Sequence, residues 1–176
     1  MQRINVIGTT GSGKSTFARQ LADRLDCPCV HMDQLFWLPQ WVEPTDAAFF
    51  PKVASAVSGP RWVLDGNYNR TNAIKWQYAD TLIWLDYSFA RTFWQLFKRT
   101  LHRAITQQEL WPGTGNRESF RRSFLSRDSI FLWLFKNYKR NRARYQQLQQ
   151  AMETSQQMRF IRLTRPAQAR RLLSSL

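Results

Sequence analysis

The 176-residue sequence predicts one α/β domain, a parallel sheet wrapped by helices, on three observations. Short apolar runs bounded by turns recur along the chain, segments of helical periodicity alternate with them, and a glycine-rich loop joins the first run to the first helix. The runs place strands near Arg3–Ile7, Pro28–Met32, Trp62–Leu64, Thr81–Leu85 and Arg159–Leu163. Helices are expected at Lys14–Leu25, Asp46–Val57, Phe89–Ala104, within Glu118–Gln150 and at Ala167–Leu173. Phe17, Ala18, Leu21 and Leu25 give the first helix an apolar face, Thr45 or Asp46 can cap the second, and Pro51 predicts a kink in it. The Pro and Gly content of Thr106–Arg117 marks a loop.

The loop reads G-T-T-G-S-G-K-S-T from Gly8 to Thr16, a complete phosphate-loop pattern with a strand before it and a helix after it. Its glycines let successive backbone N–H groups point at one phosphate, and the following helix contributes a partial positive charge. Gly8, Thr9, Thr10, Gly11, Ser12, Gly13, Lys14, Ser15 and Thr16 are therefore the nucleotide-binding candidates. Lys14 reaches the β- and γ-phosphates as a point charge, and the Ser15 hydroxyl is placed to ligate Mg²⁺. ATP and Mg²⁺ are the expected cofactors.

Composition narrows the class. With 43% apolar residues and eight Trp, the chain has enough for one buried core. Cys27 and Cys29, in C-P-C spacing, match neither a zinc nor a C-x-x-C redox pattern and are expected to be reduced thiols. The longest apolar stretch, Ile130 to Phe135, is too short to cross a bilayer, so a soluble, cytoplasmic protein is expected, with no stable membrane insertion. The net charge of +14 is uneven. Residues 1–90 carry eight basic and eight acidic side chains, residues 91–145 thirteen and three, and residues 146–176 five and one. Such a field attracts polyanions, which keeps nucleic acid open as a partner of the second half.

Carboxylates and arginines must separate a switch, a motor and a kinase. Asp65 ends the run W-V-L-D-G, where a carboxylate at a strand's C-terminal end can hold Mg²⁺ opposite Ser15. Asp33 follows the second strand, and in an open α/β sheet that end shares one crevice with the phosphate loop. A carboxylate there can take a proton from an attacking hydroxyl or bind acceptor hydroxyls. His31 shares its strand and reads as a buried, hydrogen-bonded histidine. Arginines from a closing flap offset the charge of a moving phosphoryl group, with Arg99, Arg103, Arg117, Arg121, Arg122 and Arg127 as candidates. Trp37, Asn67, Tyr68 and Arg70, together with Asp33, are placed to meet an acceptor, and Trp41 and Trp76 lie in the same stretch.

The order of phosphate loop, H-x-D-x-L-x-W, W-V-x-D-G-N-Y, T-x-I-W-L-D-Y, N-R-E-S and S-R-D-S-I resembles the bacterial adenylate-kinase-related P-loop proteins labelled "DNA topology modulation", nearly end to end. The resemblance implies a P-loop NTPase three-layer fold of the nucleoside-monophosphate-kinase branch. It would have a five-stranded parallel sheet in the order 2-3-1-4-5 and an Arg-rich helical lid, here residues 88–145. W-V-L-D-G-N-Y looks like a variant of the D-G-F-P-R segment of adenylate kinases, and the spacing of Asp33 is similar to that of shikimate-type kinases. Arg99 matches the arginine leading into the kinase lid, and Arg127 resembles one from its far side; both are then catalytic candidates with Lys14 and Asp33. Arg103 joins the nucleotide-binding set, as does Arg165, because Thr164-Arg165-Pro166 sits where such kinases let backbone touch adenine. The chain lacks the Pro of D-G-F-P-R and sets its Arg one residue later, so AMP as acceptor is not implied.

These readings predict an ATP- and Mg²⁺-dependent phosphotransferase acting on a small-molecule or nucleotide acceptor. Two alternatives use the charge differently: an ATP-binding regulator that binds nucleic acid through residues 91–145, or a polynucleotide 5′-hydroxyl kinase. A third is peripheral membrane contact through the Phe131–Phe135 segment and its basic flanks.

Overall fold

Residues Arg3–Gly8 form β1, the middle strand of a five-stranded parallel sheet ordered β2-β3-β1-β4-β5. The computed structural model describes residues 1–126, 129–155 and 158–176. The remaining strands are β2 (Cys29–His31), β3 (Trp62–Asp65), β4 (Thr81–Leu85) and β5 (Arg159–Leu163), close to the expected positions and in the expected order. Helices α1 (Lys14–Leu25), α2 (Met32–Phe36), α3 (Asp46–Ala56), α4 (Asn72–Lys75), α5 (Phe89–Thr106), α6 (Ile130–Ser155) and α7 (Pro166–Ser174) connect and cover them.

Alternation along the strands builds two cores. Ile4, Val6, Val63, Ile83 and Leu85 face Phe17, Ala18, Leu21 and Ala22 of α1 and Ala169 of α7. On the opposite face, Trp62 and Leu64 meet Phe49 and Val53 of α3, while Ile7, Leu82 and Trp84 meet Tyr145 of α6. Each strand residue therefore belongs to one layer or the other, as the two-residue period of a pleated strand requires. The Trp84 and Tyr145 rings meet at 5.5 Å, and buried Asp86, just past β4, pairs with Arg142 of α6 and Arg162 of β5. That ion cluster ties α6 to the sheet's β5 edge.

The departures from expectation that bear on the site are at β2, the long helix and Pro51. Strand β2 stops at His31, because Met32 turns into α2 to bury its side chain against α3. The long helix starts at Ile130, after a π-helical turn at Arg121–Leu125, and runs on to Ser155 through most of the Gln-rich stretch. Helix α3 continues through Pro51, whose ring is exposed while Phe49 and Val53 anchor the buried side. Thr45 caps it by accepting a 3.3 Å hydrogen bond from the Ala48 N–H. The segment 88–145 supplies α5, the loop after it and the larger part of α6, which packs on α5 and continues to Ser155.

Parallel register brings strand ends together. Val6 lies opposite Asp65 on one side and Ile83 on the other, and His31 lies opposite Asp65. The ends of β1, β2 and β3 thus share one edge, and because β1 leads on to β2 and its neighbour β3 to β4, their connections run to opposite sides and leave a crevice.

Leu21 is fully buried at the centre of the α1 face. Leu21→Ala is expected to lower unfolding free energy by about 2–5 kcal/mol with little change in the denaturant m-value. Urea titration checks this; a loss under about 1 kcal/mol would contradict the core assignment.

Candidate active site

The loop between β1 and α1 turns on two glycines. Gly13 caps α1 in the left-handed region, at φ 86°, where a side chain would be strained. Gly11 lets α5 pack close, since a Cβ there would stand 2.6 Å from the Thr92 carbonyl oxygen and 2.8 Å from the Leu96 Cβ. Ser12 donates its N–H to the Thr9 carbonyl at 3.0 Å, closing the turn, while its buried hydroxyl has no protein partner. No side chain caps the N-terminus of α1, so its first N–H groups are left without a side-chain partner. A helix end of this kind suits phosphate.

The loop is fastened from β3's side. The Asn67 carboxamide accepts the Gly8 N–H at 3.1 Å and donates to the Gly8 carbonyl at 2.9 Å. Asn5, fully buried on β1, donates to the Leu64 and Gly66 carbonyls at 3.1 and 3.2 Å and accepts the Trp76 indole N–H at 2.9 Å. Lys75, also fully buried, donates its ammonium to the Asn67 carbonyl. Burial pushes Lys75 down to about 7. The turn Gly66–Asn67 is held from below by three side chains, only one of which, Asn67 itself, stands among the sequence candidates. Lys75 and Asn5 carry no motif; burial of a polar side chain is visible only after folding.

Asp65 ends β3 at the loop's mouth. Its Oδ2 accepts the His31 Nδ1–H at 3.1 Å, and its buried Oδ1 has no protein partner. Burial alone would raise the carboxyl, but the His31 hydrogen bond, the Lys14 charge and the Ser15 hydroxyl outweigh it and hold Asp65 below its ordinary value. The same bond, helped by contact with the Cys29 thiol at 3.7 Å, lifts His31 to about 10 against its own burial. Asp65 is therefore an anion against an imidazolium, with one oxygen left over.

The far side of the crevice is aromatic. Asp33, in the first turn of α2, accepts a 2.6 Å hydrogen bond from the Tyr68 hydroxyl. Burial, then the Asp33 charge, raises the Tyr68 phenol well above its usual range, so it remains a donor. Phe36 and Phe49 pack on the Tyr68 ring at 4.9 and 5.5 Å. Arg70 lies over Phe36 at 5.0 Å and pairs with Asp46 at 3.0 Å. Trp37 and Trp41 meet edge to face at 5.4 Å beyond Asp33, whereas Trp76 sits beneath the Gly66 turn on Asn5.

Asn116 joins this wall to the loop between α5 and α6. It is 1% exposed, accepts the Trp41 N–H at 2.9 Å and donates to the Leu38 carbonyl at 2.9 Å. Those bonds support Gln40 and Trp41, both at positive φ (59° and 62°).

The arginines divide. Arg99 is packed in, its Nε buried without a protein partner; burial and the neighbouring Arg103 lower its pKa while Glu118, Asp33 and Asp65 oppose them. Arg103 is paired with Glu118 at 3.0 Å. Arg117, Arg121 and Arg165 are exposed. Arg127 lies outside the described residues, as does the Arg122 side chain.

Among the described residues no cluster of three or more His, Cys, Asp and Glu is arranged to hold a metal ion. A magnesium site here would draw on nucleotide oxygens, as Mg²⁺ sites with one or two protein ligands do. The free Asp65 Oδ1 beside Ser15 fits that donor set.

No protein-family model and no curated protein matches the chain, so its likeness to adenylate-kinase-related proteins rests on the motifs. Among solved structures, a shikimate kinase from Acinetobacter baumannii in complex with shikimate aligns with a TM-score of 0.51 at 15% identity, over 99% of this chain and 90% of its own. A gluconokinase from Sinorhizobium meliloti aligns at 0.43 and 19%, over 57% of this chain and 66% of that one, just under two thirds of its length. A putative kinase from Chloroflexus aurantiacus aligns at 0.40 and 17%, over 68% and 75%. The shikimate kinase likeness establishes the P-loop kinase fold with its 2-3-1-4-5 sheet.

The buried Lys75 gives a pH test. Between about 7 and the ordinary lysine value the unfolded chain holds a proton that the folded chain lacks, so stability rises with pH across that window. Relative to Lys75→Met, the wild type should gain roughly 2 kcal/mol in urea titrations between about pH 7 and pH 9. A difference that stays flat would show that Lys75 is charged and solvated when folded.

Proposed function

We propose that the chain is an ATP- and Mg²⁺-dependent kinase that transfers the γ-phosphoryl group to a small-molecule acceptor. One arrangement carries the reading: Arg99 stands within electrostatic reach of Asp33 and Asp65, while Lys14 and Ser15 help hold Asp65 below its ordinary value. This supports a single crevice shared by the loop, the carboxylates and the half-buried Arg99.

In this reading the loop amides and Lys14 hold the β- and γ-phosphates, and Thr9, Thr10, Ser12 and Thr16 complete the cradle. Ser15 and Asp65 Oδ1 would hold magnesium, which when bound neutralises charge on the phosphate oxygens. Asp33, oriented by Tyr68, accepts the proton of the attacking acceptor group as the new P–O bond forms and ADP leaves. Arg99, whose Nε is without a protein partner, meets charge on the phosphoryl group in flight; Arg127 would join it as the lid closes. Arg103 and Arg165 are assigned to the nucleotide, with Arg165 contributing backbone near the base. Trp37 and Arg70 flank the acceptor, and Asn67 serves it by fixing the loop through Gly8.

The test is acceptor-dependent ADP release across a panel of sugars, hydroxy acids and nucleotides. A stimulating acceptor is expected, with Lys14→Ala lowering turnover by at least about 100-fold through lost phosphate binding. Asp33→Asn should lower kcat by about 10²–10⁴-fold and leave ATP binding near normal. ADP release that no acceptor stimulates and that both variants retain would refute the proposal.

A further inference from the structure

We infer that the outer face of α5 and the first turns of α6 form a docking surface for an anionic lipid bilayer. Of the exposed large apolar side chains among the described residues, Trp94, Phe120, Leu132, Trp133 and Phe135 gather here. Ring contacts join Trp94, Phe120 and Phe135 through Phe93, Phe97, Phe124 and Phe131, and Leu132 and Trp133 are exposed on the same first turns of α6 as Phe131 and Phe135. Trp94 stacks on Phe97 at 5.6 Å, Phe97 touches Phe124 at 6.0 Å, and Phe124 stacks on Phe120 at 4.6 Å. Phe131 joins Phe97 to Phe93, which in turn touches Phe135 at 5.9 Å.

Charge fixes the occupant. Helix α5 contains no Asp or Glu, and α6 contains none before Glu153. Exposed Lys136, Lys139, Arg140 and Arg144 follow the apolar first turns of α6, and Arg91 and Lys98 border Trp94, with Lys98 lying over its ring at 5.1 Å. Leu132, Lys136 and Lys139 fall on one side of the helix by spacing, and Trp133 lies beside Lys136 and Arg140. From Leu132 to Lys139 is about 10 Å along the axis, so the apolar side chains and the cationic band lie within two turns of each other. Apolar turns can enter the acyl boundary while the cationic band stays among headgroups, with long lysine stems spanning the two. Aliphatic Leu132 and Ile130 offer no face for base stacking, and a second copy would bring the same cations against one another. Among the described residues no helix is long and apolar enough to cross a membrane, so the contact is peripheral.

Cosedimentation of the full chain with vesicles tests this, comparing pure phosphatidylcholine with a mixture containing about one-third phosphatidylglycerol. The wild type is expected to pellet with the anionic vesicles only, and less as salt rises. The exposed-surface variants L132Q/W133Q and K136Q/K139Q/R140Q should fold as the wild type by circular dichroism and each lower partitioning by at least about tenfold. Three results would overturn the proposal: no pelleting with anionic vesicles; undiminished pelleting of L132Q/W133Q, which would reduce the attraction to net charge; or a wild-type dimer, or retained oligonucleotide, lost in both variants while vesicles are ignored. The variants lie outside the proposed crevice, so the result is independent of whether any acceptor is phosphorylated.

Discussion

Two hydrogen bonds from one carboxamide set the geometry of the crevice. Asn67 holds both the N–H and the carbonyl of Gly8, so the start of the phosphate loop cannot shift without moving the exit of β3. That exit is itself pinned by Asn5 and Lys75 from within the α6-side core. The strand register supplies the frame, and these side chains convert it into a fixed loop. Close backbone approach matters as much as bonding. A Cβ at Gly66 would stand 2.5 Å from the Met32 Cβ, so the bare glycine is what lets α2 begin beside β3 and bring Asp33 to the Tyr68 hydroxyl.

Electrostatics then distinguishes the groups. Asp65 and Asp33 are two carboxylates in one crevice with different partners: an imidazolium for the first, a neutral phenol for the second. The first is held in the anionic form by His31, Lys14 and Ser15, the state that its proposed magnesium role requires. The second keeps a partner that donates a hydrogen bond without adding charge, an arrangement suited to a group that receives a proton. Opposite them, the packed guanidinium of Arg99 brings positive charge that lacks a full set of protein acceptors. Elsewhere in the second half, Arg103, Arg142 and Arg162 are paired with Glu118 and Asp86, whereas Lys136, Lys139, Arg140 and Arg144 of α6 and the loop residues Arg117 and Arg121 are exposed.

Much of the fold was legible because it is local. Strand and helix positions follow from apolar runs and periodicity, and the phosphate loop announces itself through the glycines that its turns require. Strand order came from resemblance rather than from any single residue. Less legible were features created by chain segments far apart in sequence. Lys75 reads as an ordinary surface lysine in N-A-I-K-W, and only the fold shows it sealed under the Asn67 turn. Asn116 lies in a loop chosen for its Gly and Pro content, yet its side chain completes hydrogen bonds 75 and 78 residues away. His31 was legible as a hydrogen-bonded histidine, but its partner was not, since the pairing of β2 with β3 decides it. The long helix expected within Glu118–Gln150 starts inside that range, at Ile130 after the π-helical turn at Arg121–Leu125, but ends later, at Ser155.

The central claim is that the β1–α1 loop is a preformed anion cradle held by Asn67. Backbone amide NMR during titration with a non-hydrolysable ATP analogue and Mg²⁺ tests it most directly. Large, saturable shifts are expected at the amides of Gly11 to Ser15, with weaker affinity but the same set of amides in Asn67→Ala. Shifts confined to other parts of the chain, or none at saturating nucleotide, would contradict it.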